Sequence, residues 1–293
     1  MSALRAARHY TRYAALYDRI ATDAPLADGL RRRIVDALAP SRGDVVVEMG
    51  CGTGANVPLL RERVGPEGAV VGVDVSAGVV ARARDRIADA GWENVHVARA
   101  DATAPPVAFA DRARAVSPAG EVDAVLATFV TGMFDDPATV VDDWCRILAP
   151  MAGGTEFGES EAATGGESEA ATGGESGAAT GGESEAATGE GDGAAVGGGG
   201  RICVAGFARS THPVGRLLNP VFGGVVRLAT PPSRGRGRPE SPVELLDERA
   251  AAAHRRVHDR CRNATTDRAL AGFARITAGT VSSGAVSSSP RNR

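Results

Sequence analysis

The stretch Val45-Val46-Val47-Glu48-Met49-Gly50-Cys51-Gly52-Thr53-Gly54 sets an acid beside three alternate glycines. Glycine accepts positive φ and lets a ligand approach the backbone, and a helix that follows such a bend offers unpaired N–H groups to a carboxylate. Glu48 adds an acid for an amino group. Asp74 stands twenty residues beyond Gly54, the place for a carboxylate that takes both hydroxyls of a ribose. Asp101, followed by Ala102, is an acceptor for the amine of an adenine. Three polar anchors then span an amino acid, a ribose and a base.

Those anchors need strands to end beneath them, and the apolar pattern supplies strands. Leu26, Leu30, Ile34 and Leu38 recur every four residues and mark an amphipathic helix that Pro40 ends. The run Val45 to Met49 is a strand, and a helix from about Ala55 to Val64 stops at Gly65-Pro66. Strand Ala69 to Val73 leads into Asp74, with Ser76 as N-cap of a helix that gathers Val79, Val80, Ala83, Ile87 and Ala90 on one face. Strands Val95 to Ala98, Val122 to Ala127 and Ile202 to Ala205 follow, with a helix from Asp136-Pro137 to Leu148 among them. Alternating strands and helices imply a mostly parallel sheet that binds ligands at the carboxyl ends of its strands. A capping box, Ser241-Pro242-Val243-Glu244, opens a last helix, and two short strands near Asn263 to Asp267 and Ala271 to Ala278 close the pattern.

Other groupings compete for a role. Gly50-x-Gly52-x-x-Ala55 with Asp74 also fits a degenerate dinucleotide fingerprint, the mark of a nicotinamide- or flavin-dependent enzyme. Glu48 and Asp101 weigh against that reading. His254, His258 and Cys261 share a helical face, but Arg255, Arg256 and Arg260 beside them favour a solvated basic face over a zinc site, and no metal is expected. Cys51 has no histidine fixed beside it, so it is read as a small residue that packs the turn.

The chain of 293 residues is 43% hydrophobic, enough for one large domain or two small ones. Nothing approaches a membrane-spanning run, and no signal peptide is read at the start, so a cytoplasmic location is expected. The four cysteines stand far apart, which argues against a disulfide framework. One segment differs from the rest: an eight-residue unit, GESEAATG with one variant, repeats four times from Gly158 to Gly189. Residues 151–199 hold ten acidic residues and no basic ones, a composition too poor in apolar side chains to offset its ordering entropy, and disorder is expected. With those ten set aside, 26 of the 36 acidic residues face 33 basic ones, all arginine, a balance of +7.

The motifs Tyr17-Asp18, Arg31-Arg32-Arg33, VVVEMGCGTG, VVGVDVS, NVHVARADA, the run from Asp123 to Pro150 and GGRICVAGF together resemble the class I S-adenosylmethionine-dependent methyltransferases. Within them the likeness is to the group of ubiquinone/menaquinone-biosynthesis and phosphatidylethanolamine N-methyltransferases. The resemblance implies a Rossmann-like α/β fold: a seven-stranded, mostly parallel sheet with a final antiparallel strand and helices on both faces. It implies S-adenosylmethionine as cofactor, with Glu48, Gly50, Cys51, Gly52, Thr53 and Gly54 at its methionine part. It further implies Asp74, Val75 and Ser76 at the ribose, Asp101 and Ala102 at the adenine, and Thr128 and Phe129 at the methionine end. The family's L-x-P-G-G-R turn is split here between Leu148-Ala149-Pro150 and Gly199-Gly200-Arg201, so the repeat reads as an insertion into one turn.

The expected division is an N-terminal helical lid over 1–40, a methyltransferase domain over 41–150 and 200–281, the insertion at 151–199 and a loose tail at 282–293. A sulfonium already carries an activated methyl group, so in-line positioning is the main task. Tyr13, Tyr17 and Asp18 are the candidate bases where an acceptor must lose a proton. The apolar run Pro213 to Ala229 is read either as a contact for an apolar or amphipathic small-molecule or lipid acceptor, with peripheral membrane contact, or as an ordinary helix packed on the sheet. Nucleic-acid binding is not expected, because the positive charge is scattered and few aromatics accompany it. A protein that binds S-adenosylmethionine without turning it over is the remaining alternative.

Overall fold

The computed structural model describes residues 25–104, 113, 115–116, 120–148, 199–229 and 241–282. The chain divides into one unit of 1–150 with 198–293 and another of 151–197, and every described residue lies in the first. Tyr13, Tyr17, Asp18 and the repeat of 158–189 lie outside the described residues.

In chain order the elements are α1 (Pro25–Leu38), β1 (Val45–Met49), α2 (Val57–Val64), β2 (Ala69–Asp74), α3 (Ala77–Ala90), β3 (Val95–Arg99), β4 (Ala124–Thr128), α4 (Pro137–Ile147), β5 (Arg201–Phe207), α5 (Pro213–Ala229), α6 (Pro242–Arg260), β6 (Cys261–Ala269) and β7 (Ala274–Val281). The seven strands form one sheet in the order β3-β2-β1-β4-β5-β7-β6. The first five run parallel, and β7 runs antiparallel to both β5 and β6. The final strand is thus the antiparallel one, as the fold class requires, although it lies inside the sheet rather than at its edge.

Every residue of β1 and β2 is buried, which is why both read as unbroken apolar runs rather than alternating ones. Their side chains divide between two cores. Val45, Val47, Met49, Val125 and Ile202 join Val141 and Trp144 of α4 and Ala253 and Val257 of α6 on one face. Val46, Val70, Leu126, Cys203 and Ile276 join Leu30, Ile34, Val35 and Leu38 of α1 and Val57, Leu60 and Val64 of α2 on the other. The apolar stripe of α1 is therefore spent on the sheet.

The amino ends of the strands are tied to one another. Asp123 accepts from Val45 N at 2.7 Å, and Arg201 donates to the carbonyls of Leu38 and Ala37, closing the last turn of α1. Gly199 and Gly200 enter β5 where a Cβ on either would collide: 2.3 Å from Val281 O for Gly199, 2.7 Å from Leu148 Cδ2 for Gly200.

Three local readings change. Ser76 and Ser241 occupy the N-cap positions of α3 and α6, but neither side chain makes a cap hydrogen bond. Asp136 does cap α4, accepting from Thr139 N at 3.2 Å. The expected solvated basic face holds only in part: Arg255 and His258 are exposed, but His254 is not. His254 is buried, its Nδ1 2.8 Å from Thr277 Oγ1. From there Thr266 Oγ1 is 2.7 Å away, and His258 Nε2 lies 2.8 Å beyond it. That helical face turns toward β7 because the adjacent Ala250, Ala253 and Val257 are the apolar stripe of α6, and the stripe decides which side packs.

Candidate functional site at the carboxyl ends of the strands

Between β1 and α2 the chain must turn back within a few residues, and it does so on positive φ at Gly50 (72°), Gly52 (55°) and Gly54 (75°). The three glycines serve different needs. A Cβ on Gly50 would stand 2.8 Å from Val130 Cγ2, and one on Gly54 would stand 3.2 Å from Val57 Cγ2. A Cβ on Gly52 would meet nothing within 4 Å, so this residue alone faces open space. Cys51 fills the turn as expected: a Cβ on Gly72 of β2 would come within 2.8 Å of its Sγ. Burial, reinforced by Glu48 and Asp74, pushes the Cys51 thiol well up, which suits packing and not nucleophilic attack.

Within the loop itself, four N–H groups are already bonded to the chain. Gly50 N and Cys51 N donate to Val73 O, Gly54 N donates to Cys51 O, and Gly52 N donates to Asp74 Oδ2 at 3.1 Å. Its contribution to a ligand is therefore room and close approach. Asp74, at the end of β2, is buried and also accepts from Ser76 N at 2.8 Å through Oδ1. Each of its oxygens anchors a loop and keeps a second lone pair. Burial raises its pKa, and the two backbone bonds oppose the shift.

Glu48 is completely buried at the end of β1. Its Oε1 accepts from Asn56 Nδ2 at 2.7 Å, and Asn56 Nδ2 also reaches Thr128 Oγ1 at 3.0 Å, so one amide joins β1, α2 and β4. Its Oε2 has no hydrogen-bond partner among the described residues. Burial lifts the carboxyl to about 7 against the pull of Asn56; Asp74 adds to the rise, and Arg31 of α1 works against it. Asn56 is a site residue the sequence did not single out. It sits at the N-cap of α2, where an Asn side chain ordinarily bonds the helix, yet it makes no cap bond and turns to Glu48 instead.

The remaining expected residues come to the same edge. Asp101, after β3, accepts from Thr103 N and Thr103 Oγ1 through Oδ1, and Ala102 O accepts from Trp144 Nε1 at 2.8 Å. Val75 O accepts from Arg99 Nε at 3.1 Å. Phe129 holds φ of 59°, a costly conformation for an aromatic residue, with its ring stacked 4.3 Å from that of Phe207. Thr53 is buried in the glycine turn. On the far side of Phe207, Gly206 leaves a Cβ-sized space with His254 Nε2 at 3.6 Å and Thr131 Oγ1 at 3.8 Å, both buried and without partners among the described residues. Burial, with Arg275, His258 and Arg268 nearby, holds His254 down at about 3 and therefore neutral.

In comparison with known families, residues 46–151 match the model described as a methyltransferase domain. The chain is 33% identical over 141 residues to nocamycin O-methyltransferase of Saccharothrix syringae, across 48% of this chain and 46% of that one. It is 33% identical over 140 residues to phosphatidylethanolamine N-methyltransferase of Cereibacter sphaeroides, across 48% of this chain and 61% of that one. A solved geranyl diphosphate C-methyltransferase from Streptomyces coelicolor A3(2) overlaps it with a TM-score of 0.48 at 13% identity, covering 88% of this chain and 77% of that chain. The chain spans about half the length of the curated relatives it matches.

Proposed function

We propose that the chain, whose residues 46–151 match a methyltransferase domain, is a class I methyltransferase that transfers the methyl group of S-adenosylmethionine to a small apolar or amphipathic acceptor, such as a lipid amine or a quinone-like ring. The observation that carries this reading is the Oε2 of buried Glu48, unpartnered among the described residues, at the end of the strand whose following turn leaves open space over Gly52. A buried carboxylate oxygen left without a donor is costly, and an ammonium group from the ligand removes that cost. The cradle over Gly52 gives such a ligand its place, so the residues present fit the cofactor.

Glu48 would hold the amino group, with Asn56 fixing its other oxygen. Gly50, Cys51, Gly52, Thr53 and Gly54 would line the methionine part, and Asp74, with Val75 and Ser76, the ribose. Asp101 and Ala102 would meet the adenine, and Thr128 and Phe129 the methionine end. The cofactor, when bound, supplies the activated methyl group on its sulfonium. The chain's own residues then act by position: they fix the donor against the sheet edge and keep water from the acceptor. Where the acceptor must lose a proton, Tyr13, Tyr17 and Asp18 are the candidate bases. The different names of the relatives, a nocamycin O-methyltransferase and a phosphatidylethanolamine N-methyltransferase, fit a donor site held constant while the acceptor side changes.

Calorimetric titration with S-adenosylmethionine and, separately, with a nicotinamide dinucleotide tests the first half of the proposal. Binding of the dinucleotide alone would establish the oxidoreductase alternative. Acceptor-dependent formation of S-adenosylhomocysteine tests the second half, and binding without turnover across lipid-amine and quinone-like acceptors would mark a non-catalytic S-adenosylmethionine-binding protein.

A further inference from the structure

Helix α5 is the one described helix whose apolar stripe is not spent on the sheet. Leu217 is 81% exposed, Val221 65%, Val225 60%, Val214 58% and Leu218 49%. Leu217, Val221 and Val225 follow at four-residue steps, with Val214 and Leu218 beside them, so the five form one continuous stripe about 16 Å long. The helix packs through a different face: Gly215 lies under Ala271 O and Ser210, Asn219 bonds Ser210, and Phe222 meets Phe273 at 5.1 Å. Exposed apolar side chains are ordinary singly, but five in a row are a surface that seeks a partner.

We propose that α5 is an interfacial helix, docking the protein on a membrane surface that contains anionic lipid. This goes beyond the methyl-transfer reading and does not depend on it. Charge selects the occupant. Arg216 and Arg227 are both exposed, one toward each end of the helix, and from Pro213 to Pro239 the sequence has five arginines and no acidic residue. The acids nearest in chain on α6 already act on Arg209, Asp247 by direct bonds and Glu244 through its charge. An uncharged stripe with cationic ends and no acid of its own complements headgroups that carry negative charge. A second copy of the chain complements it poorly: a two-fold, antiparallel pairing would set Arg216 against Arg227 of the partner subunit with no carboxylate on either helix to answer. The described residues also hold no helix long and apolar enough to cross a membrane, so the stripe would lie in the interface.

The experiment is co-sedimentation of the full chain with vesicles of phosphatidylcholine alone or mixed with phosphatidylglycerol, at low and high salt. Binding to the mixed vesicles is expected, weakened by salt. L217D/V221D should reduce it by roughly 100-fold or more, the effect of withdrawing two buried aliphatic side chains. R216S/R227S should reduce it roughly 30-fold, at about 1 kcal/mol for each arginine near the surface. Both pairs lie on the exposed surface, so melting and S-adenosylmethionine titration should match wild type, which separates this proposal from the cofactor reading. Equal sedimentation of wild type and L217D/V221D would overturn it. So would a concentration-dependent dimer, seen by light scattering, that L217D/V221D abolishes while vesicle binding is absent.

Discussion

The two edges of the sheet use similar residues to opposite ends. At the amino edge polar groups satisfy one another: Asp123 with Val45, Arg201 with the last carbonyls of α1, Asn94 with the carbonyls of Gly65 and Gly68. At the carboxyl edge Glu48 Oε2, Thr131 Oγ1 and His254 Nε2 are buried and unpartnered among the described residues. The glycines differ in the same sense. Gly200 exists because Leu148 and Asp123 leave no room for a Cβ, whereas Gly52 has positive φ beneath empty space. A satisfied edge is a structural joint; an unsatisfied one has free energy left to give to a ligand.

The largest effect should come from exchanging those two glycines separately. Gly52→Val forces φ of 55° on a β-branched residue, a strain of roughly 1–2 kcal/mol, and fills the cradle, so S-adenosylmethionine binding should vanish while the protein still melts cooperatively. Gly200→Val should do the reverse, losing about 1–3 kcal/mol of stability to overpacking at unchanged cofactor affinity. If Gly52→Val binds normally, the contrast between the edges collapses.

Asp74→Ala comes next, at about 1.5–3 kcal/mol of cofactor affinity, the range for a lost charge-assisted hydrogen bond. It also releases the N–H groups of Gly52 and Ser76. Asp74→Asn, which can keep one of these anchors, should therefore bind between wild type and Asp74→Ala. Equal affinity in all three would put the ribose elsewhere.

Glu48 gives a pH signature. Its carboxyl, ordinarily near 4.5, is raised to about 7, and an ammonium ligand needs the ionised form. Affinity should be full above pH 7 and fall by up to about tenfold per unit below it. Glu48→Gln should flatten that profile. The stability of the free protein has the opposite sign. The folded state holds the Glu48 proton more tightly than the unfolded chain, so this contribution is present below about 4.5 and lost as pH rises to about 7. A ligand profile that follows the stability profile would exclude Glu48 as the amino-group partner.

The smallest effect is expected from deleting Ala152 to Gly198, which rejoins Pro150-Met151 to Gly199 at the amino edge. Cofactor affinity should not change, and shortening the connection should raise stability by no more than about 2 kcal/mol. A large fall in melting temperature would show that the acidic repeat supports the domain.

Much of this was legible in residue order. Buried parallel strands write themselves as apolar runs, and Glu48, the alternate glycines and Asp74 fall at strand ends that such runs reveal. Asn56 was not legible, because an Asn before a helix reads as its cap and nothing local says that its amide turns to a buried acid. The burial of His254 was hidden by its arginine neighbours, since a count of charges around a helix does not tell which stripe packs. The stripe of α5 is the converse case. Its periodicity shows an apolar face, but whether that face meets the sheet or solvent is settled by the sheet's other helices.

The position of β7 has a consequence for synthesis on the ribosome. β5 has one neighbour, β4, until β7 emerges, and β6 pairs with β7 alone. Through that interval the nascent chain presents Cys203, Val204 and Ala205 along an open strand edge, the kind of surface that recruits another strand from a neighbouring polypeptide. Closure of the sheet waits for β7, the last of the described strands, so a message cut short within it would yield aggregates rather than a smaller folded domain.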